Sequence, residues 1–352
     1  MGNAEEQNLY ESVKRQICRN IYKEIYPDGS LIPSERKLSE EFGVSRVTIR
    51  KALKLLEEEH IIERVQGSGT RVALEYGARQ GKMEIITLVA PAQNTFFSKF
   101  IDAFQTAAEE KDILILYKQK PQNMSLEKCL YQIYDKNLRN VVLWLEDMEL
   151  SMDALRKLRG LGMNIVLFDT TFRSNFADAV CLDNGDAIRE LLAYFRNEQC
   201  QKIGYVGWDE KQVRSVSVRE AEVKKEIAEE QCMTIPWEYH KNPDAVPTEI
   251  IESCLWKLRF CDAVLYSVAE LAIPFEKRAK ELELHHKAAA IDDLPGAEEL
   301  GILTIEQDFH KMAEQVIDCL SRQNRKGSKW KAKTFMVSGN INRRMFDASN
   351  RN

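Results

Sequence analysis

Leu9, Val13, Ile17, Ile21 and Ile25 recur every four residues, the spacing of a single apolar stripe along a helix. Pro27-Asp28-Gly29 stops it. Pro33-Ser34 opens a second helix, with Ser34 as N-cap, that runs to about Phe42. Gly43 breaks that helix with backbone freedom no other residue has. Ser45 caps a third, in which Ile49, Leu53 and Leu56 form the stripe that must be buried. Two short helices about a tight glycine turn make a helix-turn-helix. Ile61–Arg64 and Thr70–Ala73 then read as two strands around Gln66-Gly67-Ser68-Gly69, a hairpin or wing.

From residue 84 the pattern changes. Short β-branched runs alternate with amphipathic helices, giving strands at Ile85–Val89, Ile113–Tyr117, Val141–Leu145, Ile165–Phe168, Ala179–Leu182, Ile203–Val206, Ala263–Tyr266, Lys287–Ile291 and Ile302–Ile305. Such alternation predicts an α/β architecture of parallel sheets closed by crossovers. Nine strands exceed one average sheet, which points to two lobes. A ligand in such folds lies at the carboxyl ends of the strands, often between lobes. The expected order is a winged helix-turn-helix over 1–73, a linker over 74–83 with two glycines and little periodicity, a two-lobed domain over 84–346 and a tail over 347–352.

Composition narrows the function classes. With 352 residues, 44% hydrophobic and 30% charged, the chain has the balance of a folded protein of two or three units rather than a disordered one. No apolar run approaches the roughly 20 residues of a bilayer span. The opening stretch, with Asn3, Glu5, Glu6 and Gln7, lacks a secretory pattern, so the reading places the protein in the cytoplasm and off the membrane. Eight scattered cysteines without a Cys-x-x-Cys pair point to small core residues rather than disulfides or zinc. The histidines show no metal spacing, and neither a metal nor a cofactor is expected. Net charge is −5, which does not advertise nucleic acid, yet Arg46, Arg50, Lys51 and Lys54 lie between Val44 and Leu56 with no acidic residue among them.

Burying Ile49, Leu53 and Leu56 turns Arg46 and Arg50 outward on one face, near the N-terminus of the helix, where a recognition helix touches base edges. Arginine there can reach guanine or phosphate. Ser45 and Thr48 could offer hydroxyls. Gly67 and Gly69 would let the wing approach DNA closely, and Arg64 and Arg71 flank it. The other reading of these charges is a solvated basic helix. Three segments, Pro33–Leu38, Phe42–Leu53 and Gln66–Thr70, closely resemble the DNA-binding domain of the gluconate-repressor (GntR) family, over nearly all of residues 8–73. That resemblance implies operator contacts at Arg36, Arg46 and Arg50, a wing tip at Gly67, and a homodimer on a two-fold operator of double-stranded DNA.

The second regime resembles the periplasmic-binding-protein-like effector domain of the lactose/galactose-repressor (LacI/GalR) family. The carrying residues are Asn94-Thr95-Phe96-Phe97, Phe168-Asp169, Ile291-Asp292-Asp293 and Leu303–Phe309. A GntR-type head on this body resembles the arabinose-repressor architecture. The resemblance implies a carbohydrate effector held by Asn94, Asp169, Arg219 and Asp292, with Phe96, Phe97 and Phe309 at the pocket and Phe97 and Phe309 as its wall. Each has a plainer reading: Asp169 and Asp292 could end strands, Phe97 and Phe309 could be core aromatics, and Arg219 could be solvated. Two positions depart from the family: Val268-Ala269 stands where it has Asn-Asp, and Glu222 where it has glycine.

These readings together predict a DNA-binding transcriptional repressor, not an enzyme, whose operator affinity responds to a sugar or sugar derivative bound between the lobes. One alternative is a ligand-independent DNA-binding dimer with a degenerate sensor, motivated by Val268-Ala269. Another is a head fused to an enzyme, as in the pyridoxal-phosphate branch of the GntR family. No Walker loop, Gly-x-Ser-x-Gly or Gly-x-Gly-x-x-Gly supports that one.

Overall fold

Three helices and a hairpin come first along the chain, each fixed by local chemistry. The computed structural model describes residues 2–74, 83–90, 95–120, 123–144, 150–170, 172–210 and 213–342. Residues 75–82 of the expected linker, Asn94 and the expected tail lie outside them. Helix α1 (Gly2–Tyr22) buries Val13, Ile17 and Ile21. Ile25, the last residue of the expected stripe, is exposed instead. Glu24 adopts φ 59° and the Ile25 amide returns to the Asn20 carbonyl, a left-handed ending that stops the helix a turn early.

Helix α2 (Glu35–Phe42) starts as expected, with the Ser34 hydroxyl accepting from the Lys37 amide, and ends at Gly43 in the left-handed region at φ 65°. Helix α3 (Arg46–Glu58) is capped by Ser45 and buries Ile49, Ala52, Leu53 and Leu56. Burying each such aliphatic side chain contributes about 1.5–3 kcal/mol, so this stripe fixes the helix on α1 and α2. Strands β1 (Ile62–Val65) and β2 (Gly69–Val72) pair antiparallel, and Leu31 bridges to Arg71 beside them.

The rest of the chain builds two six-stranded sheets. The first contains β3 (Ile85–Ala90), β4 (Leu114–Gln119), β5 (Asn140–Trp144), β6 (Asn164–Phe168), β7 (Asp178–Leu182) and, much later, β13 (Thr334–Val337), in the order β13-β7-β6-β5-β3-β4. Helices α4 (Thr95–Glu109), α5 (Leu126–Asp135) and α6 (Met152–Gly160) connect its strands. The second contains β8 (Ile203–Asp209), β9 (Cys232–Pro236), β10 (Ala263–Tyr266), β11 (Lys287–Ile291), β12 (Ile302–Glu306) and β14 (Asn340–Asn342), in the order β14-β12-β11-β10-β8-β9. Its helices are α7 (Asn184–Asn197), α8 (Arg214–Val223), α9 (Thr248–Leu258) and α10 (Ala269–Glu281), with α11 (Phe309–Lys326) following β12.

The two strand orders are the same, so one doubly wound topology occurs twice. Strands β6 and β7 are buried throughout, as parallel strands covered on both faces must be. Two-lobed parallel α/β architecture was the expectation, and all nine expected strands are present within a few residues of their predicted ends. Strands β9, β13 and β14 were not foreseen; they lie at sheet edges.

The chain divides into two compact units. One takes in the head and the chain through Asp169, together with Arg173–Ala179 and Ala313–Thr334. The other takes in Thr170–Phe172, Val180–Met312 and the chain from Phe335 onward. All eight cysteines are thiols, and all but Cys232 are buried. Among the described residues no helix is long and apolar enough to cross a membrane, and no group of three or more His, Cys, Asp or Glu could hold a metal ion.

Candidate nucleic-acid interface and effector residues

The burial of α3 leaves Arg46, Val47 and Arg50 in solvent. Arg50 Nε donates to Glu35 Oε2 at 2.8 Å, so the first residue of α2 orients the second arginine of α3. Three of the other expected arginines are held in the same way: Arg36 by Glu40 at 3.2 Å, Arg64 by Glu57 at 3.3 Å, and Arg71 by Glu63. Exposed pairs of this kind are worth about 0–1 kcal/mol, little enough for a phosphate or a base edge to displace the carboxylate.

Ser45 stays exposed, but its hydroxyl accepts from the Thr48 amide at 3.1 Å and lies 2.9 Å from Thr48 Oγ1. Thr48 itself is 3% exposed. The expectation that Thr48 offers a hydroxyl to DNA is therefore corrected: it sits one turn before Ala52 on the buried side and completes the cap. Gly67 (φ 77°) and Gly69 (φ 110°) shape the wing, and a Cβ at either would meet nothing within 4 Å. Glycine is needed there for backbone conformation rather than for space. Val47 and Glu35 were missed in the sequence. Val47 places an exposed methyl surface beside the two arginines, the type of contact that a thymine methyl accepts.

Of the effector residues expected in the first unit, Asp169 is half-buried directly after β6, with φ 52°. Phe96 and Phe97 lie in the first turn of α4, and their side chains are outside the described residues. In the second unit Asp292 directly follows β11, the strand that matches β6 in the repeated order, and it too is left-handed, at φ 73°. Aspartate tolerates that conformation better than most residues, and both carboxylates stand at the carboxyl ends where doubly wound sheets bind ligands.

Gln307 Nε2 donates to Asp292 Oδ1 at 2.8 Å and fixes its plane. Sequence reasoning did not single out Gln307, although it falls inside the Leu303–Phe309 run. Phe309 is buried at the start of α11.

Arg219, expected as an effector contact with a solvated side chain as the plainer alternative, is not solvated. It is 6% exposed, donating from Nε to Asn184 Oδ1 at 2.6 Å and from Nη1 to the Ser267 carbonyl at 2.8 Å. Those bonds tie α8 to the start of α7 and the end of β10. Val268 occupies the N-cap of α10 and makes no side-chain cap bond. The Glu222 carboxyl bonds Lys225 at 2.6 Å and lies 3.5 Å from Arg189, and the lysine's hydrogen bond holds it below the usual carboxylate range.

Residues 9–72 match the model of the "Bacterial regulatory proteins, gntR family". The head is a gntR-family domain. In this gntR-type head the chain is 45% identical over 67 residues to the Mannosyl-D-glycerate transport/metabolism system repressor MngR of Escherichia coli (strain K12), covering 19% of this chain and 28% of that protein. It is 44% identical over 65 residues to the Histidine utilization repressor of Klebsiella aerogenes, covering 18% and 27%. The chain thus matches less than a third of these curated relatives' length.

The body's likeness is of fold. A LacI family transcriptional regulator from Enterococcus faecium with bound ribose superposes with a TM-score of 0.58 at 15% identity, covering 74% of this chain and 97% of that one. A regulatory protein of LacI family from Chloroflexus aggregans gives 0.59 at 13% identity, covering 73% and 96%. A gntR-type head is thus joined to a body with the LacI-regulator fold.

Proposed function

We propose that the chain is a sequence-specific DNA-binding transcriptional repressor, working in the cytoplasm without catalysis, whose operator affinity is set by a small molecule bound to its LacI-like body. The observation that carries this reading is α3: a capped, buried helix that presents Arg46, Val47 and Arg50 to solvent beside a glycine wing. Arg36, Ser45, Arg64 and Arg71, with Gly67 and Gly69, complete the DNA face in this reading.

A homodimer is part of the proposal. Strand β4 is a sheet edge whose Leu114 is 71% and Leu116 44% exposed, and its register partner Ile85 is 38% exposed. Edge strands are normally blunted by charge or cover, and a second copy would bury this strip.

For the effector, a sugar or sugar derivative is favoured by Asp169 and Asp292 at matching strand ends. Asn94, Phe96, Phe97, Arg219 and Phe309 are its further proposed contacts. A thermal-shift screen of the full chain against pentoses, hexoses and sugar phosphates tests this directly. A ligand at 100 times its Kd should stabilise the native state by about 2.7 kcal/mol and raise Tm accordingly. The shift should vanish in Asp292→Asn at the same sugar concentration. No shift with any of these compounds would overturn the carbohydrate reading and favour a DNA-binding dimer without an effector.

A further inference from the structure

The first lobe holds the DNA-binding head by contacts of several independent kinds. Tyr22, the last residue of α1, stacks on Tyr131 of α5 with ring centroids 4.5 Å apart. Its phenol donates to the Glu127 carbonyl at 3.3 Å, and burial pushes it up to about 12. One turn away on each helix, Cys18 of α1 and Tyr134 of α5 are both buried. Arg19 lies 3.8 Å from Asp135.

Helix α6 makes a second set. Lys157, with its side chain 15% exposed, pairs with Glu24 at 2.9 Å and with Asp153 at 2.6 Å. Arg156 lies 3.4 Å from Asp28, which also accepts from the Leu74 amide at 3.1 Å. Leu74 packs so closely on α6 that a Cβ at Gly160 would lie 2.7 Å from its own Cβ. Glycine at 160 is what lets the chain leaving the wing lie against the lobe.

We infer that Tyr131, Lys157 and Gly160 are positioning residues for DNA recognition, because they fix the head on the lobe and thereby set the half-site spacing a dimer reads. The inference rests on the proposed dimeric regulator. Two heads on loose tethers tolerate many separations, whereas two heads fixed to their lobes present their recognition helices at one. None of these lobe residues belongs to the DNA face, so each acts only through the orientation of the head. Helix α6 leads directly through β6 into Asp169, so the element that grips the head also carries a proposed effector contact.

The test uses the full-length protein and duplexes selected from a random double-stranded library, rebuilt with half-sites moved apart one base pair at a time. The wild-type chain should bind one spacing at least ~10-fold tighter than a spacing offset by half a helical turn. In Tyr22→Ala/Glu24→Lys and in Lys157→Glu that ratio should fall below ~3-fold, with binding to a single half-site changed by less than ~2-fold. The exchanged pair Glu24→Lys/Lys157→Glu should recover much of the preference, which loss of folding could not produce.

Variants that keep the wild-type spacing profile would overturn the positioning role while leaving the regulator reading intact. Variants that lose single half-site binding as well would also overturn it. A wild-type chain that binds selected duplexes with no spacing preference would overturn the dimer, and one that selects no duplex would overturn the reading of the head.

Discussion

Arg46→Ala and Arg50→Ala are each expected to weaken binding of the full-length protein to its selected duplex by about 1–3 kcal/mol, the cost of losing a bidentate base contact. The two should differ in kind. Arg50 is oriented by Glu35 at 2.8 Å, so its removal leaves an exposed carboxylate facing the phosphates as well as a missing donor. Arg50→Ala should therefore cost more than Arg46→Ala, and adding Glu35→Gln to it should return part of the loss. Neither change should lower unfolding stability by more than about 0.5 kcal/mol, since both side chains are solvent-exposed. Mobility shift on selected and scrambled duplexes, beside urea unfolding, separates these effects. Equal affinity in both variants would remove α3 from the groove.

Asp178→Asn is expected to be the most damaging single change to the body, costing about 3–5 kcal/mol, the range for removing one partner of a buried charge pair. Asp178 is fully buried at the start of β7. It accepts from Arg322, from Gln323 Nε2 at 2.9 Å, from Trp330 Nε1 at 3.0 Å and from the Lys333 amide at 2.8 Å. Asparagine keeps the shape but turns one acceptor into a donor aimed at other donors, and it leaves Arg322 without its carboxylate.

The network extends further. Gln323 accepts from the Ile165 amide at 2.9 Å and donates to the Ile165 carbonyl at 2.8 Å, so one side chain satisfies both backbone groups of a residue in β6. Asp178→Asn should lower the urea midpoint of the body transition sharply. A loss under about 1 kcal/mol would mean that the buried pair is not what holds the end of the chain to this sheet.

What the sequence made legible was local. Ser34, Gly43 and Ser45 act within four residues of themselves, and each does in the structure what its chemistry dictates. The apolar runs of the central parallel strands, β6, β7 and β10 among them, are buried throughout, so they stand out without knowledge of their partners.

What stayed hidden depends on residues far apart in the chain. The plainer reading of Arg219 as a solvated side chain could not be set aside from the sequence, because its acceptors, Asn184 and Ser267, are 35 and 48 positions away. Strands β13 and β14 exist through pairing at sheet edges, and β9 ends in Pro236, which reads as a break. Thr48 was misread for a nearer reason. It follows the same helical face as Ala52, and a wheel that included alanine among the buried positions would have placed it inward. Among the effector residues, Asp169 and Asp292 could be named from sequence, but their matching strand ends and left-handed backbones appear only once the two sheets are seen to share a strand order.

The central claim is that a gntR-type head gives this chain sequence-specific affinity for double-stranded DNA. The most direct measurement is enrichment of random duplexes by the full-length protein at about 150 mM salt, where non-specific phosphate binding is weak. The account predicts convergence on a two-fold motif with two half-sites, lost when Arg46 and Arg50 are both replaced by alanine. A library that stays random, or one that converges equally well for the doubly substituted protein, would contradict it.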